Sequence, residues 1–231
     1  KFREQPLPMS PYLLGLLLGD GGLRFGVMFS SSDEELLNSV RGLLPPGDEL
    51  VHRAKYDYAI RGEETRYTLR LLGLFGCGSH EKFIPWAYLY NSIDNRVALL
   101  QGLMDTDGYA PKREEGMVAP SFCTTSEELA NNVCWLVRSL GGVVSVKTKK
   151  PTYHYAGQER EGKLAWNITI FLPGSIPVFR LSRKQERIKE RIVDKIQRRV
   201  KSVEPDGREE ALCILVESEH HLFATDDFVL T

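Results

Sequence analysis

The sequence predicts a mixed α/β (α+β) fold built from two halves that repeat each other. The first observation is an internal repeat, because residues 29–40 (FSSSDEELLNSV) align with residues 122–133 (FCTTSEELANNV). The second is a matching pair of helical segments upstream, at 12–21 and 99–108, each of which ends in Asp-Gly. The third is that strand-like segments follow each repeat. Each half is therefore predicted to have the order α-β-β-α-β-β-α, with pseudo-twofold symmetry between the halves.

Each repeat is predicted to form the end of a strand and then the start of a helix. Ser32 with Glu35, and Thr125 with Glu128, have the spacing of a capping box ahead of an apolar run. Pro and Gly residues end both helices. The strands that follow are predicted at 50–58 and 66–72 in the first half, and at 143–150 and 164–172 in the second.

The composition is that of an ordinary globular chain. With 231 residues, of which 42% are hydrophobic, the chain is long enough to bury a sizeable core. Its longest apolar run, at 12–18, is too short to span a bilayer, and no signal-peptide pattern opens the sequence. The four cysteines show no CxxC spacing, which suits a reducing compartment. We therefore expect a cytoplasmic protein without a membrane partner.

The charge is segregated along the chain, although the formal net charge is only −1. Residues 138–201 hold 16 basic and 5 acidic side chains, a net charge of +11, whereas 1–137 carry −5 and 202–231 carry −7. A local excess of this size attracts phosphates. A solvated amphipathic helix over 187–201 explains the same charge, so composition alone leaves both interpretations open.

The two Asp-Gly helices carry small residues at a spacing of four. Gly15 and Gly19 lie on one face of the first helix, and Gly102 and Thr106 lie on one face of the second. Such strips let two helices approach each other backbone to backbone, as small-xxx-small pairs do in membranes. We therefore expect the two helices to pack side by side.

This packing brings Asp20 and Asp107 together at the last turns of their helices. Two carboxylates at the negative ends of two helix dipoles repel each other. A hard divalent cation such as Mg²⁺ offsets the repulsion, and metals at paired carboxylates commonly hydrolyse phosphodiesters. A lone Asp-Gly would more simply end a helix, but two copies at matching positions favour the metal site.

The segments 13–21 (LLGLLLGDG) and 100–108 (LQGLMDTDG) resemble the paired nonapeptides of LAGLIDADG homing endonucleases. The first copy departs from the pattern at Leu18, where the family often has an acid. The resemblance implies two saddle-shaped antiparallel sheets and site-specific cleavage of double-stranded DNA with Mg²⁺ or Mn²⁺. A monomer is expected, because the duplication supplies both halves of the site. The implied division is a linker at 1–9, halves at 10–93 and 94–200, and a C-terminal segment at 201–231.

The resemblance also assigns roles to individual residues. Asp20 and Asp107 would be catalytic metal ligands, helped by the backbone carbonyls of Gly19 and Thr106. Lys82, in a segment similar to the family's Lys-x-Ile-Pro, would orient or polarise the attacking water. Its second-half counterpart would be Lys184, although that lysine is equally explained as a charge on an exposed helix, and Lys147, Lys149 or Lys163 could serve instead.

Basic residues at even spacing in the strand-like segments are candidates for DNA binding. Residues two or four apart in a strand project from one face of a sheet, where they can contact phosphates or base edges. Each one alone is as readily a solvated charge. The candidates are Arg53, Lys55, Arg66, Arg70, Lys147, Lys149, Lys150 and Lys163.

The acidic segment 201–231 resembles the C-terminal splicing (Hint) strands of an intein. Cys213 matches the internal cysteine at which some inteins begin splicing, and His221 matches the histidine of that block. A buried cysteine in a strand is the simpler explanation of Cys213. The N-terminal splicing motifs and the final His-Asn of that family are not found, so the segment is a splicing remnant or a part of a longer intein.

Three functions are consistent with these observations. The first is a metal-dependent DNA endonuclease, the second is a DNA-binding module of the same fold that no longer cuts, and the third is a protein-splicing element that uses Cys213. The presence of both Asp20 and Asp107, together with Lys82, favours the endonuclease.

Overall fold

The computed structural model describes residues 2–112, 119–155 and 157–188, with 202–205, 207–208, 210, 215–217, 219, 222–223, 225 and 228 of the C-terminal segment. The predicted mixed α/β class with two antiparallel sheets is confirmed. Across the part of the chain that is described, no helix is long and apolar enough to cross a membrane.

The first half contains a four-stranded antiparallel sheet with the strand order β1-β2-β4-β3. One helix precedes the sheet in the sequence, one connects its second and third strands, and two follow it. The elements are α1 (Pro11–Asp20), β1 (Gly21–Gly22), β2 (Met28–Ser30), α2 (Glu34–Leu43), β3 (Glu49–Ala54), β4 (Asp57–Arg61), α3 (Glu64–Leu71) and α4 (Trp86–Leu89).

The second half repeats this topology, because its antiparallel sheet has the order β5-β6-β10-β7. One hairpin, β8-β9, is added between the third and fourth strands and pairs only with itself. The elements are α5 (Ile93–Asp107), β5 (Gly108–Tyr109), β6 (Ser121–Thr124), α6 (Glu127–Ser139), β7 (Val143–Lys149), β8 (Thr152–Tyr155), β9 (Gln158–Glu161), β10 (Ala165–Phe171) and α7 (Ser182–Ile188).

The helix pair α1 and α5 forms the centre of the molecule. Residues 12–18 of α1 are buried without a break, so this helix has no solvent-facing side over two turns. Helices with an apolar surface on every side are typical of the interior of a protein. The core continues from this pair into both sheets through Phe29 and Phe122, which are fully buried at equivalent positions of the two repeats.

Two of the predicted first-half strands are wrong. The segment 66–72 lies in α3, where Thr65 and Leu69 are buried four residues apart and the Asp48 carboxylate accepts a hydrogen bond from the Thr65 N–H at 2.7 Å. Burial at a spacing of four is typical of a helix. The segment 50–58 is not one strand, because a hairpin turn at Lys55, with φ of 48°, separates β3 from β4.

The two repeat helices are capped one residue later than the capping-box spacing predicts. Asp33 caps α2 by accepting a hydrogen bond from the Glu35 N–H at 3.1 Å. Ser126 caps α6 by accepting one from the Leu129 N–H at 3.1 Å. Asp and Ser are both strong N-cap residues, and each directly precedes the first helical residue of its repeat.

The predicted splicing residues Cys213 and His221 lie outside the described residues. In the described part of 202–228 the chain forms no strand.

Candidate active site

The small-residue strips of α1 and α5 lie against each other, as the sequence predicts. The Cα atoms of Gly15 and Gly102 are so close that a Cβ added to either glycine would lie 2.9 Å from the Cα of the other. A Cβ on Gly15 would also collide with the Leu99 carbonyl oxygen, and one on Gly102 with the Tyr12 carbonyl oxygen. The helices therefore cross with backbone in contact with backbone, which only glycine permits at these two positions.

One turn further on, Gly19 faces Thr106. A Cβ on Gly19 would overlap the Thr106 hydroxyl, which is turned inward and donates a hydrogen bond to the Gly102 carbonyl at 2.9 Å. The last residues of the two helices are Asp20 and Asp107. Because the helices are in contact up to this turn, the two carboxylates lie beside each other at the C-terminal end of the crossing.

The two carboxylates are in an environment that disfavours their charge. Burial, together with the negative charge of Asp107, raises the pKa of Asp20 from 3.8 to about 6. Desolvation by the surrounding protein also raises the pKa of Asp107. This residue is nevertheless exposed to solvent, in a cleft that is open to the surface. Lys82 and Lys184 oppose both shifts. Among the described residues, no side chain forms an ion pair or hydrogen bond with either carboxylate.

Lys82 and Lys184 occupy equivalent positions in the two halves. Each ammonium group is surrounded by four carbonyl oxygens at the C-terminal end of the helix that carries the aspartate. Carbonyls in the last turn of a helix hold the negative end of the helix dipole, and most of them lack an intrahelical partner. The Leu17 and Met104 carbonyls also accept from the N–H of Gly21 and Gly108, respectively. The Lys82 ammonium lies within hydrogen-bond distance of the carbonyl oxygens of Leu17, Leu18, Gly19 and Gly21, at 3.2, 2.8, 2.9 and 2.7 Å. The Lys184 ammonium lies within hydrogen-bond distance of those of Met104, Asp105, Thr106 and Gly108, at 2.9, 2.8, 3.1 and 2.6 Å.

The two lysines are almost inaccessible to solvent, with exposed fractions of 4% for Lys82 and 6% for Lys184. Burial lowers the pKa of each from 10.5 to about 8, against the attraction of Asp20 and Asp107. Their N–H donors point at backbone oxygens, so their first effect is to fix and neutralise the two helix ends. Lys184 is therefore a buried residue rather than a charge on an exposed helix.

The alternatives to Lys184 lie elsewhere. Lys147 and Lys149 are exposed on β7, and Lys163 contacts the His80 ring nitrogen Nδ1 at 2.9 Å. Of these four lysines, Lys184 alone contacts the end of α5.

Each lysine segment also contacts the other half of the molecule, which the sequence did not predict. The Ser126 hydroxyl, at the start of α6, donates a hydrogen bond to the Lys82 carbonyl at 2.6 Å. In the opposite direction, the Arg183 guanidinium donates to the Asp33 carboxylate, at the start of α2, at 2.6 Å. Asp33 and Ser126 are equivalent cap residues of the internal repeat. The repeat itself was visible in the sequence, but not the partner of each cap.

The candidate DNA-binding residues fall into two groups. Lys147 and Lys149 are exposed and two apart on β7, so they project from one face of the sheet, and Lys150 follows directly after that strand. Lys163 precedes β10. In this group, the geometry agrees with the predicted strand positions.

Neither first-half pair, Arg53 with Lys55 or Arg66 with Arg70, projects from one sheet face as predicted. Lys55 lies in the hairpin turn, and the pairing of β3 with β4 is irregular around Arg53. Arg66 and Arg70 lie on α3, where their spacing of four gives one helix face instead. Arg66 forms an ion pair with Glu63 at 2.8 Å.

A cleft of about 270 Å³ leads to Asp107 and is lined by Gly19, Lys82 and Thr125 among others. A second cleft, of about 330 Å³, adjoins it through Lys82 and holds the basic side chains of Arg24 and Lys163. The Asp107 carboxylate is therefore reached from a surface that carries positive charge. Across the described residues, no group of three His, Cys, Asp or Glu side chains converges to hold a metal ion.

Comparison with known proteins gives several partial relatives. The replicative DNA helicase DnaB of Mycobacterium intracellulare is 29% identical over 160 residues, which are 69% of this chain and 23% of the helicase. Protein RecA of Mycobacterium tuberculosis (strain ATCC 25618 / H37Rv) is 29% identical over 153 residues, which are 61% of this chain and 19% of RecA. This chain therefore spans less than a quarter of the length of these relatives.

Among solved structures, a mesophilic variant of the homing endonuclease I-DmoI superposes with a TM-score of 0.46 at 15% identity, over 81% of this chain and 90% of that one. The complex of I-DmoI with DNA and Ca gives a TM-score of 0.48 at 14% identity, over 78% of this chain and 95% of that one. Residues 94–199 of this chain match the family model of the LAGLIDADG-like domain.

Proposed function

We propose that the chain is a site-specific, divalent-metal-dependent endonuclease of double-stranded DNA. The observation that carries this proposal is the repetition of one half-site, in which Asp20 with Lys82 is matched by Asp107 with Lys184 at the end of the α1–α5 crossing. A DNA duplex has two backbones related by a twofold axis, so a site with the same symmetry can address both strands. Because one chain supplies both half-sites, a monomer is sufficient.

The residues at the crossing fit a hard divalent cation. Mg²⁺ prefers oxygen ligands, often takes only one or two carboxylates from the protein, and completes its shell with water and phosphate oxygens. Asp20 and Asp107 would supply the carboxylates, and the carbonyl oxygens of Gly19 and Thr106 lie at the same helix ends. A bound cation of this kind lowers the pKa of water and neutralises charge on the leaving oxygen.

The remaining chemistry belongs to the chain itself. Lys82 and Lys184 neutralise the helix ends on which the carboxylates are mounted, and this lets two acids stay close together at neutral pH. Because only two carboxylates meet at the crossing among the described residues, a phosphate of the DNA would complete the ligand set. Metal binding and DNA binding would therefore support each other.

The DNA would lie across the sheet face that carries Lys147 and Lys149 and would reach the cleft that opens onto Asp107. The exposed Lys147 and Lys149 give this face a positive charge, which favours contact with phosphates. Phosphate contacts of this kind set affinity and register, whereas base contacts set the sequence that is recognised.

The test is cleavage of a DNA duplex. The duplex joins directly the two coding sequences that flank the coding sequence of this chain. In Mg²⁺ the protein should cut both strands, and Asp20→Asn or Asp107→Asn should abolish cutting while DNA binding persists. Asp94→Asn, at the exposed far end of α5, is the matched control and should cut normally. Cutting that survives both substitutions refutes the proposed site. Binding without cutting in any divalent metal would support the DNA-binding module instead.

We further propose that the chain derives from an intein. The matching segment fills only 23% of DnaB and 19% of RecA, and an element inserted into different host proteins would produce this pattern. Cys213 and His221 are the proposed splicing residues. A tagged precursor that carries the chain between its flanking sequences should yield a spliced product that Cys213→Ala abolishes; an unchanged product would refute the role of Cys213.

A further inference from the structure

The two halves hold their buried lysines by different means. Asp105 lies two residues before Asp107 and is 1% exposed, and the equivalent residue of the first half is Leu18, also 1% exposed. A buried carboxylate is costly unless hydrogen bonds compensate it, whereas a buried leucine is not. The acid at this position therefore has to be explained by its partners.

The Asp105 carboxylate binds the chain just before Lys184. It accepts hydrogen bonds from the backbone N–H of Arg180 at 3.1 Å and from that of Leu181 at 3.1 Å. Leu181 in turn opens α7, because its carbonyl accepts from the Lys184 N–H at 3.0 Å. The carboxylate thus fixes the start of the helical turn from which the Lys184 side chain reaches α5.

The same carboxylate is held from the first half. The Tyr12 hydroxyl of α1 donates to it at 2.7 Å, and the Arg180 guanidinium lies over the Tyr12 ring at 4.2 Å. Arg180 also donates to the Gln101 side chain at 2.6 Å. These contacts connect α1, α5 and the chain before α7 in one network whose centre is Asp105.

The first half has no counterpart of this network. Gly78 is the residue equivalent to Arg180. Its N–H donates a hydrogen bond to the exposed Glu81 carboxylate in the same loop, and not to a residue of α1. The Lys82 segment is fixed by the buried Ser126 hydroxyl, which donates to the Lys82 carbonyl, and by the Asn132 side chain, which accepts from the Ile84 N–H at 2.7 Å. The second half has the equivalent cap contact, from Arg183 to Asp33, and adds Asp105 to it. We propose that Asp105 is the positioning residue for Lys184, and that Ser126 is the positioning residue for Lys82.

The proposal rests on the proposed endonuclease activity for its functional consequence. If each half-site acts mainly on one DNA strand, loss of one positioning contact slows that strand more than the other, although the two half-sites meet at the helix crossing. Loss of a group that orients a site residue typically costs about 10- to 100-fold in activity.

The test measures the cleavage rate of each strand separately, with a different fluorophore on each strand of the duplex. Asp105→Leu, which copies the first half, should slow one strand by about 10- to 100-fold and slow the other strand clearly less. Ser126→Ala should slow the opposite strand, and nicked duplex should accumulate in both cases. Equal slowing of both strands, or slowing of the same strand by both variants, overturns the proposal. Asp105→Asn, which keeps an oxygen for Tyr12, replaces the leucine variant if that variant does not fold.

Crystal structures of the two variants test the positioning without any cleavage. In the Asp105 variant, the Lys184 ammonium should leave the carbonyls of 104–108 while Lys82 stays in place, and Ser126→Ala should displace Lys82 alone. A Lys184 that keeps its four carbonyl contacts overturns the proposal. If the unaltered protein cuts no DNA, the endonuclease proposal fails, and these structures still decide the role of Asp105.

Discussion

The repulsion at the crossing of α1 and α5 predicts that Asp20→Asn stabilises the metal-free protein. In the folded state the pKa of Asp20 is raised from 3.8 to about 6, so folding disfavours its charged form. An acid whose pKa is raised by folding lowers the free energy of unfolding as the pH rises from about 4 to about 6. Above that range the free energy of unfolding has lost the full contribution of this group. At pH 7.5 the substitution should remove the whole loss, and at pH 4 it should change little.

The size of the effect follows from the shift in pKa. A rise from 3.8 to about 6 corresponds to about 3 kcal/mol, because each pKa unit is worth about 1.4 kcal/mol. Asp20 is only partly buried, and solvent screening reduces the figure to about 1–2 kcal/mol. For a chain of this length, that is a rise in Tm of about 2–8 °C.

The assay is thermal or urea unfolding in EDTA at pH 4 and pH 7.5, with Asp94→Asn as the control. Asp20→Asn should unfold later than the unaltered protein at pH 7.5, and Asp94→Asn should not. A saturating concentration of Mg²⁺ in the presence of DNA should reverse the order, because only the unaltered protein gains from the cation. If Asp20→Asn is no more stable than the unaltered protein at pH 7.5 in EDTA, the carboxylates do not repel each other as we infer.

Three further predictions concern the packing, the DNA surface and the metal. Gly15→Ala and Gly102→Ala should each lower the free energy of unfolding, measured in urea, by at least about 2 kcal/mol, because the added Cβ meets backbone atoms. Gly42→Ala is the control, because a Cβ at this position of α2 meets nothing, and it should raise the free energy of unfolding by about 0.5–1 kcal/mol. Equal effects at the three sites would contradict the close crossing. Lys147→Ala and Lys149→Ala should each reduce the salt dependence of DNA binding by a slope of about 0.9, measured by titration at several salt concentrations, and an unchanged slope would remove them from the interface. Mg²⁺-dependent cleavage should fall as the pH drops below about 6, since protons then compete for Asp20, and a rate that is flat from pH 7.5 to pH 5 would contradict this.

The helix pair and its aspartates could be predicted from the sequence because their signal is local and occurs twice. Four-residue spacing of small residues, followed by Asp-Gly, describes a helix face and a helix end without knowledge of the rest of the fold. The duplication then gives the pairing, because equivalent segments of a pseudo-twofold molecule meet at its axis. For the same reason the two sheets have matching strand orders.

The errors and omissions have the opposite cause. The segment 66–72 is helical because Thr65 and Leu69 face the core and Asp48, 17 residues away, binds the helix start. Arg66 and Arg70 are four apart, a spacing that fits one face of a strand or of a helix, so it did not separate the two. Asp105 was not selected because its partners, Arg180 and Leu181, lie 75 and 76 residues away. Only the contrast with Leu18 at the matching position could have indicated that this acid has a role that the first half lacks.

The central claim is that Asp20 and Asp107 hold one divalent-metal centre in the presence of DNA. A crystal structure of the protein with its duplex in Ca²⁺ tests this most directly, because Ca²⁺ binds oxygen ligands at about 2.3–2.6 Å and scatters anomalously. We predict cation density within that distance of a carboxylate oxygen of both aspartates, next to a DNA phosphate. Cation density on other residues, or a bound duplex whose phosphates lie away from both carboxylates, would contradict the account.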